Sequence, residues 1–230
     1  WMNERDPPEV LKYLEEENAF TKEKMAHTET FQKSLFEEMK GRIKESDESV
    51  PYKENGYFYI TRYEEGKEYP IYTRKKGSLE ADEEVLIDAN KLAEGLDFFQ
   101  VASTECSGNN SILAYAFDDE SRRLWKVHFK NLLTGELLSD ELLNTDGGIA
   151  WANDNKTVFY AKKDTIDLRT GEIWRHVLGT PQSEDILVFE EKDNTFNTGI
   201  YKTKSSRYLI IGSTSTLTSE YQYIDANSPY

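Results

Sequence analysis

Tyr57-Phe58-Tyr59-Ile60-Thr61-Arg62-Tyr63 and Tyr69-Pro70-Ile71-Tyr72-Thr73-Arg74 flank the charged pentapeptide Glu64-Glu65-Gly66-Lys67-Glu68. Both arms are rich in aromatic and β-branched residues, whose flat or branched side chains fit a pleated surface. The five residues between them hold one glycine and have the length of a hairpin turn. The stretch predicts a β-hairpin, and it lies where the hydrophobic period of the chain changes from 3.6 to two.

Downstream the same reading continues. Val85-Leu86-Ile87-Asp88 predicts a third strand, and further short strands are expected at 98–102, 112–117, 124–129, 149–151, 158–161, 173–177, 186–190, 199–202, 208–211 and 221–224. Turn residues group them into units of roughly 45–50 residues, within reach of a propeller blade. The expected blades run over residues 50–92, 93–145, 146–194 and 195–230. The fourth supplies about three strands where a full blade has four, and is expected to be unfinished. The two Thr-Gly-Glu turns, at Thr134 and Thr170, fall at different places in their units and do not prove a repeat. A β-sandwich of many short strands satisfies the pattern as well.

Upstream, residues 1–49 read as a helical arm. Asp6-Pro7-Pro8-Glu9 is a start signal: Asp6 can cap orphan amides, the prolines need no amide partner, and Glu9 completes a capping-box spacing. A short helix with Val10, Leu11 and Leu14 on its apolar side is expected to precede a break near Asn18 and Thr21. A second, longer helix then carries Phe31, Leu35, Phe36, Met39 and Ile43 at spacings of three and four, a core-facing stripe for which the downstream β region is the nearer cover and a coiled-coil partner or a membrane surface the alternatives. Glu15, Glu16 and Glu17 read as a solvated face, and residues 45–49 as a charged link.

Composition limits function. Fourteen tyrosines and eleven phenylalanines in 230 residues are far more than a disordered chain carries. A net charge of −15 argues against nucleic acid, whose phosphates need Lys and Arg; an acidic surface can attract cationic peptides or serve solubility alone. One cysteine, Cys106, excludes an internal disulfide and fits a reducing compartment. No apolar run approaches a membrane span. The chain opens on Trp1 rather than an initiator methionine, so any leader is out of view; the expected compartment is the cytoplasm, with the periplasm as alternative.

The sequence offers no catalytic residue, no cofactor site and no metal site. A serine hydrolase needs an elbow of the Gly-x-Ser-x-Gly type with a base and an orienting acid, and Gly212-Ser213 lacks the second glycine. His27 falls in the longer predicted helix, His128 on a polar strand face with Lys126 and Lys130, and His176 on a strand with Trp174; none has metal-ligand spacing. Cys106 reads as a loop thiol with no cation near it to lower its pKa. Gly147-Gly148 lacks the Lys-Ser/Thr of a P-loop, and Asp146 with Asp154 lacks the ligand ladder of a calcium site.

Several stretches resemble a known family. Trp1-Met2, Arg5-Asp6 and the run from Pro8 to Thr21 are similar to the opening helices of the prolyl oligopeptidase family. Val50-Pro51-Tyr52, Asn55-Gly56-Tyr57-Phe58-Tyr59 and Tyr69-Pro70-Ile71-Tyr72 resemble its first blade. Trp151-Ala152-Asn153-Asp154, Val158-Phe159-Tyr160 and Trp174 to Pro181, followed by Asp185, Leu187 and Val188 to Asp193, resemble its oligopeptidase B branch. The resemblance covers nearly the whole chain in order. It implies a seven-bladed propeller capping an α/β-hydrolase domain, and cleavage of short peptides after Arg or Lys by a Ser-Asp-His triad without a cofactor.

The expectation is therefore a mainly β chain: an α-helical arm followed by a partial β-propeller of about three and a half four-stranded blades. By that resemblance it is a non-catalytic gate fragment of an oligopeptidase B-like serine peptidase. The partners implied are the missing α/β-hydrolase domain, short basic peptides, and a second copy through the exposed arm or blade edges; neither nucleic acid nor membrane is expected. Two other readings stand beside it. One is an independent propeller-like binding module. The other is a small enzyme, which a polar pocket bearing His128 or His176 beside a carboxylate would favour.

Overall fold

The computed structural model describes residues 2–4 and 6–230; Trp1 and Arg5, which belong to the opening motif, lie outside the described residues. Two compact units divide the chain, residues 1–47 and 48–230.

The first unit is helical. Helix α1 (Pro8–Met25) and helix α2 (Glu29–Lys40) are separated by a 3₁₀ turn at Ala26–Thr28. The break expected near Asn18 and Thr21 is not there, because an Asn or Thr inside a helix costs only about 0.7 kcal/mol or less and flanking turns carry it. It falls instead where Thr28 Oγ1 donates to the Met25 carbonyl at 2.7 Å, and His27, expected inside the long helix, lies in this turn with its Nδ1 donating to the Lys24 carbonyl at 2.9 Å. The start is also shifted. Pro7, at φ −61° and ψ 134°, takes the cap position with no side-chain hydrogen bond, so Asp6 lies one residue outside and the expected capping box does not form. Pro8 holds the first helical position.

The stripe expected to face a core is exposed: Phe31 is 67%, Leu35 41%, Phe36 62%, Met39 60% and Ile43 68% accessible. Among the arm's described residues Val10 alone is buried. An amphipathic period requires an apolar face but does not name what covers it.

The second unit is a mainly β structure built as propeller blades. Strand β1 (Asp47–Glu48) is only two residues long; β2 (Tyr52–Glu54), β3 (Tyr57–Tyr63), β4 (Ile71–Lys76) and β5 (Glu83–Asp88) follow, paired antiparallel in sequence order from β2. A seven-stranded sheet comes next: β6 (Gln100–Cys106), β7 (Ile112–Asp118), β8 (Trp125–Asn131), β9 (Leu137–Trp151), β10 (Thr157–Lys163), β11 (Thr170–Val177) and β12 (Ile186–Glu190). The last sheet has three strands, β13 (Asn197–Lys202), β14 (Tyr208–Thr214) and β15 (Ser219–Asp225).

The seven-stranded sheet is two four-stranded blades that share β9. Its first half pairs with β8, Lys130 opposite Leu137 and Val127 opposite Leu142, as the outer strand of the second blade. Its second half pairs with β10, Ala150 opposite Phe159 and Trp151 opposite Val158, as the first strand of the third. The change of partner occurs at Asp146-Gly147-Gly148, where Gly147 takes φ +91°.

Blades stack face on face, so the middle ones are buried on both sides. Along β7, Leu113, Tyr115 and Phe117 pack towards the first blade with Tyr59, Leu86 and Phe99, while Ala114 and Ala116 pack towards the third with Phe129, Leu142 and Trp151. Along β10 the split repeats, with Val158 and Tyr160 on one side and Phe159 and Ala161 on the other against Ile200, Leu209 and Ile211 of the last sheet. A strand with two apolar faces loses the polar alternation of a half-solvated one.

The same device opens every blade. A residue at positive φ sits two positions before the second strand: Asn55 (44°), Asn110 (61°), Asn155 (59°) and Ser206 (59°). Asn tolerates this region because its short polar side chain bonds locally. These turns also join neighbouring blades. Asn55 Nδ2 donates to the Gly108 carbonyl at 2.6 Å, the Asn109 amide to Asn155 Oδ1 at 2.8 Å, and Asn153 Nδ2 to the Ser206 carbonyl at 3.0 Å.

Candidate functional site

The first strands of the blades lie side by side, β6 beside β9 and β9 beside β13. Each carries a charged residue near its C-terminal end: Glu54 on β2, Glu105 on β6, Asp154 after β9 and Lys202 on β13. The indole of Trp151 fixes two of these strands by donating to the Glu105 carbonyl at 3.0 Å. Glu105 reaches solvent, yet enough protein surrounds its carboxyl that burial, reinforced by the charge of Glu54 and opposed by Lys202, pushes its pKa up to about 7. Burial lowers the pKa of Lys202 against the pull of Asp154, Glu105 and Glu54. The result is a net acidic group of strand ends in which one carboxyl gains its charge near neutrality.

Asp146 lies at the other end of the third blade's first strand. Its Oδ1 accepts from the Gly148 amide at 2.7 Å, and burial raises its pKa to about 6. Asp154 has a different environment, accepting from the Lys156 and Thr157 amides at 3.0 and 2.9 Å and from Thr157 Oγ1 at 2.6 Å. Its oxygens are committed to a turn. Among the described residues no group of three or more His, Cys, Asp or Glu could hold a metal ion.

The remaining candidates fall in separate places. Ser213 is buried on β14, its hydroxyl 3.0 Å from that of Thr198. Cys106 is not a loop thiol: it ends β6, and the Arg74 guanidinium, expected from nothing in the local sequence, lies 3.5 Å from its sulfur. Burial still dominates and raises the thiol pKa, so the cation does not produce a thiolate. Arg74 is held by Glu84 through paired bonds of 2.7 and 3.0 Å and by the Tyr57 ring at 4.1 Å.

Both strand histidines meet carboxylates. His128 Nε2 is 2.9 Å from Glu141 Oε1, with the Tyr115 hydroxyl 3.5 Å from Nδ1. Burial raises the Tyr115 pKa to about 12, so this hydroxyl keeps its proton and supplies no nucleophile. His176 is 0% exposed, with Nδ1 2.7 Å from Asp185 Oδ1 and Nε2 3.1 Å from Asp140 Oδ1. Both of its nitrogens are engaged inside the protein, where no substrate reaches them.

Comparison with known proteins places the arrangement. A family described as prolyl oligopeptidase, N-terminal beta-propeller domain, matches residues 1–230. Dipeptidyl aminopeptidase BI of Pseudoxanthomonas mexicana is 39% identical, aligned over all of this chain and 34% of its own length. Protease 2 of Moraxella lacunata is 36% identical, again over the whole chain and 34% of its length. The structure of oligopeptidase B from Leishmania major superposes with a TM-score of 0.88 at 32% identity, covering 96% of this chain and 32% of that one. The chain thus spans about a third of the length of the relatives it matches.

Proposed function

From the premise that the chain belongs to the prolyl oligopeptidase family, as the N-terminal β-propeller portion of an oligopeptidase B-like member, we propose that it gates a serine peptidase cleaving short peptides after Arg or Lys. In this reading the nucleophile, base and acid belong to an α/β-hydrolase domain, and the 230 residues are inactive alone. A ring of close-packed blades is too stiff to admit a folded protein, while a flexible peptide can thread past the ends of the first strands. The observation that carries this is the cluster of charged strand ends, in which Glu54, Glu105 and Asp154 outnumber Lys202 within electrostatic reach of one another. A net negative, partly desolvated surface concentrates cationic peptides and raises their association rate.

The exposed stripe of Phe31, Leu35, Phe36, Met39 and Ile43 suits the hydrolase domain as its cover, and a second copy of the chain where that domain is lacking.

Glu105→Gln, made in the longer protein, tests the gate. Because the Glu105 carboxyl ionises near pH 7, wild-type preference for a cationic over a neutral peptide should grow from about pH 6 to about pH 8. The variant should flatten that rise and increase KM for the cationic peptide about two- to fivefold at low salt, with kcat unchanged, and the difference should fade at high ionic strength. An unchanged KM ratio at every pH would remove Glu105 from substrate attraction.

A further inference from the structure

Where the second and third blades share β9, four side chains from different strands converge out of solvent. Asp140 hangs from the first half of β9, Tyr160 from β10, His176 from β11, and Asp185 stands immediately before β12. The side chain of His176 is 0% exposed, those of Asp140 and Asp185 4% and 1%. A neutral imidazole has one N–H and one lone pair, so it can satisfy one of two flanking carboxylates and turns a lone pair on the other. Only the imidazolium donates to both.

The remaining groups around the cluster bring no other cation. The Tyr160 hydroxyl donates to Asp185 Oδ2 at 2.8 Å, and the Gly179 amide donates to Asp140 Oδ1. Gln182 Nε2 donates to the Tyr160 oxygen at 3.2 Å and to the Leu143 carbonyl at 3.1 Å, tying the same joint again. Glu172 is within electrostatic reach of Tyr160. The Phe129 ring stacks on the imidazole at 5.9 Å and closes that side. Neither Asp140 nor Asp185 pairs with a Lys or Arg among the described residues.

We infer that His176 is a proton-held fastener: its charged ring clamps Asp140 of the shared strand to Asp185 ahead of β12, and loss of that one proton lets the joint between the two blades open. Opening acts on an adjoining groove of about 610 Å³, whose wall includes Leu138, Asp140, Leu178 and Gly179. Burial works against the charged ring, but the hydrogen bond and charge of Asp185, joined by those of Asp140, outweigh it and raise the imidazole pKa. A histidine raised in this way contributes stability that is complete below its ordinary value near 6.5 and is lost as pH climbs through the raised value. Between the two, the open population rises about tenfold per pH unit, because one proton leaves with each opening.

Hydrogen exchange of the 230-residue chain from about pH 6 to about pH 9, corrected for the intrinsic base-catalysed rate, tests this. The expected result is a loss of protection in residues 137–143 and 177–186 that sets in above the ordinary imidazole value near 6.5, approaches about tenfold per pH unit and levels off above the raised value, while β13 to β15 stay protected. His176→Asn should remove the pH dependence and leave those segments open throughout. If that variant does not fold, the ring carbon–proton resonances of His176 in the wild type give the answer, titrating above the ordinary imidazole value near 6.5. A wild-type ring that titrates at or below its ordinary value, or a pH profile shared by wild type and His176→Asn, would overturn the inference.

Discussion

Phe129→Ala is expected to destabilise the propeller by about 3–5 kcal/mol, the range for removing a fully buried aromatic side chain. Phe129 is 0% exposed and sits at the centre of the cluster between the second and third blades. Its ring stacks on His176 at 5.9 Å and meets the Trp151 indole edge-on at 6.0 Å. Truncation therefore removes buried apolar area, two aromatic contacts and the cover of a buried charge cluster together. The strands around it are fixed by ladder hydrogen bonds on both sides, so they collapse poorly into the space. Urea unfolding followed by tryptophan fluorescence measures the loss; a change under about 1 kcal/mol would mean that this interface is not a close-packed core.

The second large effect is expected at Gly147. With φ at +91° the residue occupies a region that L side chains seldom adopt, and a Cβ built there lies 2.8 Å from Ala102 Cβ and 3.2 Å from Trp125 Cγ. Ala102 stands on the first strand of the second blade and Trp125 on its third, so neither can move without shifting the sheet. Gly147→Ala adds backbone strain of about 1–2 kcal/mol to an overlap that costs about 1–3 kcal/mol more. Gly135, also at positive φ but with open space around its Cβ position, is the control and should lose only the strain term. Equal losses at the two glycines would refute the close approach.

Gly147 also explains what the sequence hid. The hydrophobic pattern predicts a strand only at 149–151; in the structure Asp146-Gly147-Gly148 are the bend at which one strand of 15 residues changes blades. The hairpin at Tyr57 to Arg74 was legible because period and turn chemistry agreed over a short span, and the pairing is local. The blade repeat was harder to see. Its marker is a positive-φ Asn or Ser before each second strand, at spacings of 55, 45 and 51 residues, with too little side-chain identity to stand out.

The polar sites were the least legible, and for one reason: their partners are distant in sequence. Arg74 reaches Cys106, 32 residues away, and His176 reaches Asp140, 36 residues away. Spacing rules that look for neighbouring ligands cannot register such pairs. The four charged strand ends are one to a blade, so they become a set only after the blades are stacked. The arm shows the converse failure. Its apolar stripe was plain in the sequence, but periodicity carries no information about the covering surface, and the side chains expected in a core are exposed.

On the proposed function, this chain gates a peptidase whose catalytic residues belong to a separate hydrolase domain. Hydrolysis of a fluorogenic Arg-containing dipeptide, measured in parallel for the purified 230-residue chain and for the protein extended through the downstream coding sequence, tests it most directly. The account predicts cleavage by the extended protein alone. Cleavage by the 230-residue chain, or by neither, would contradict it.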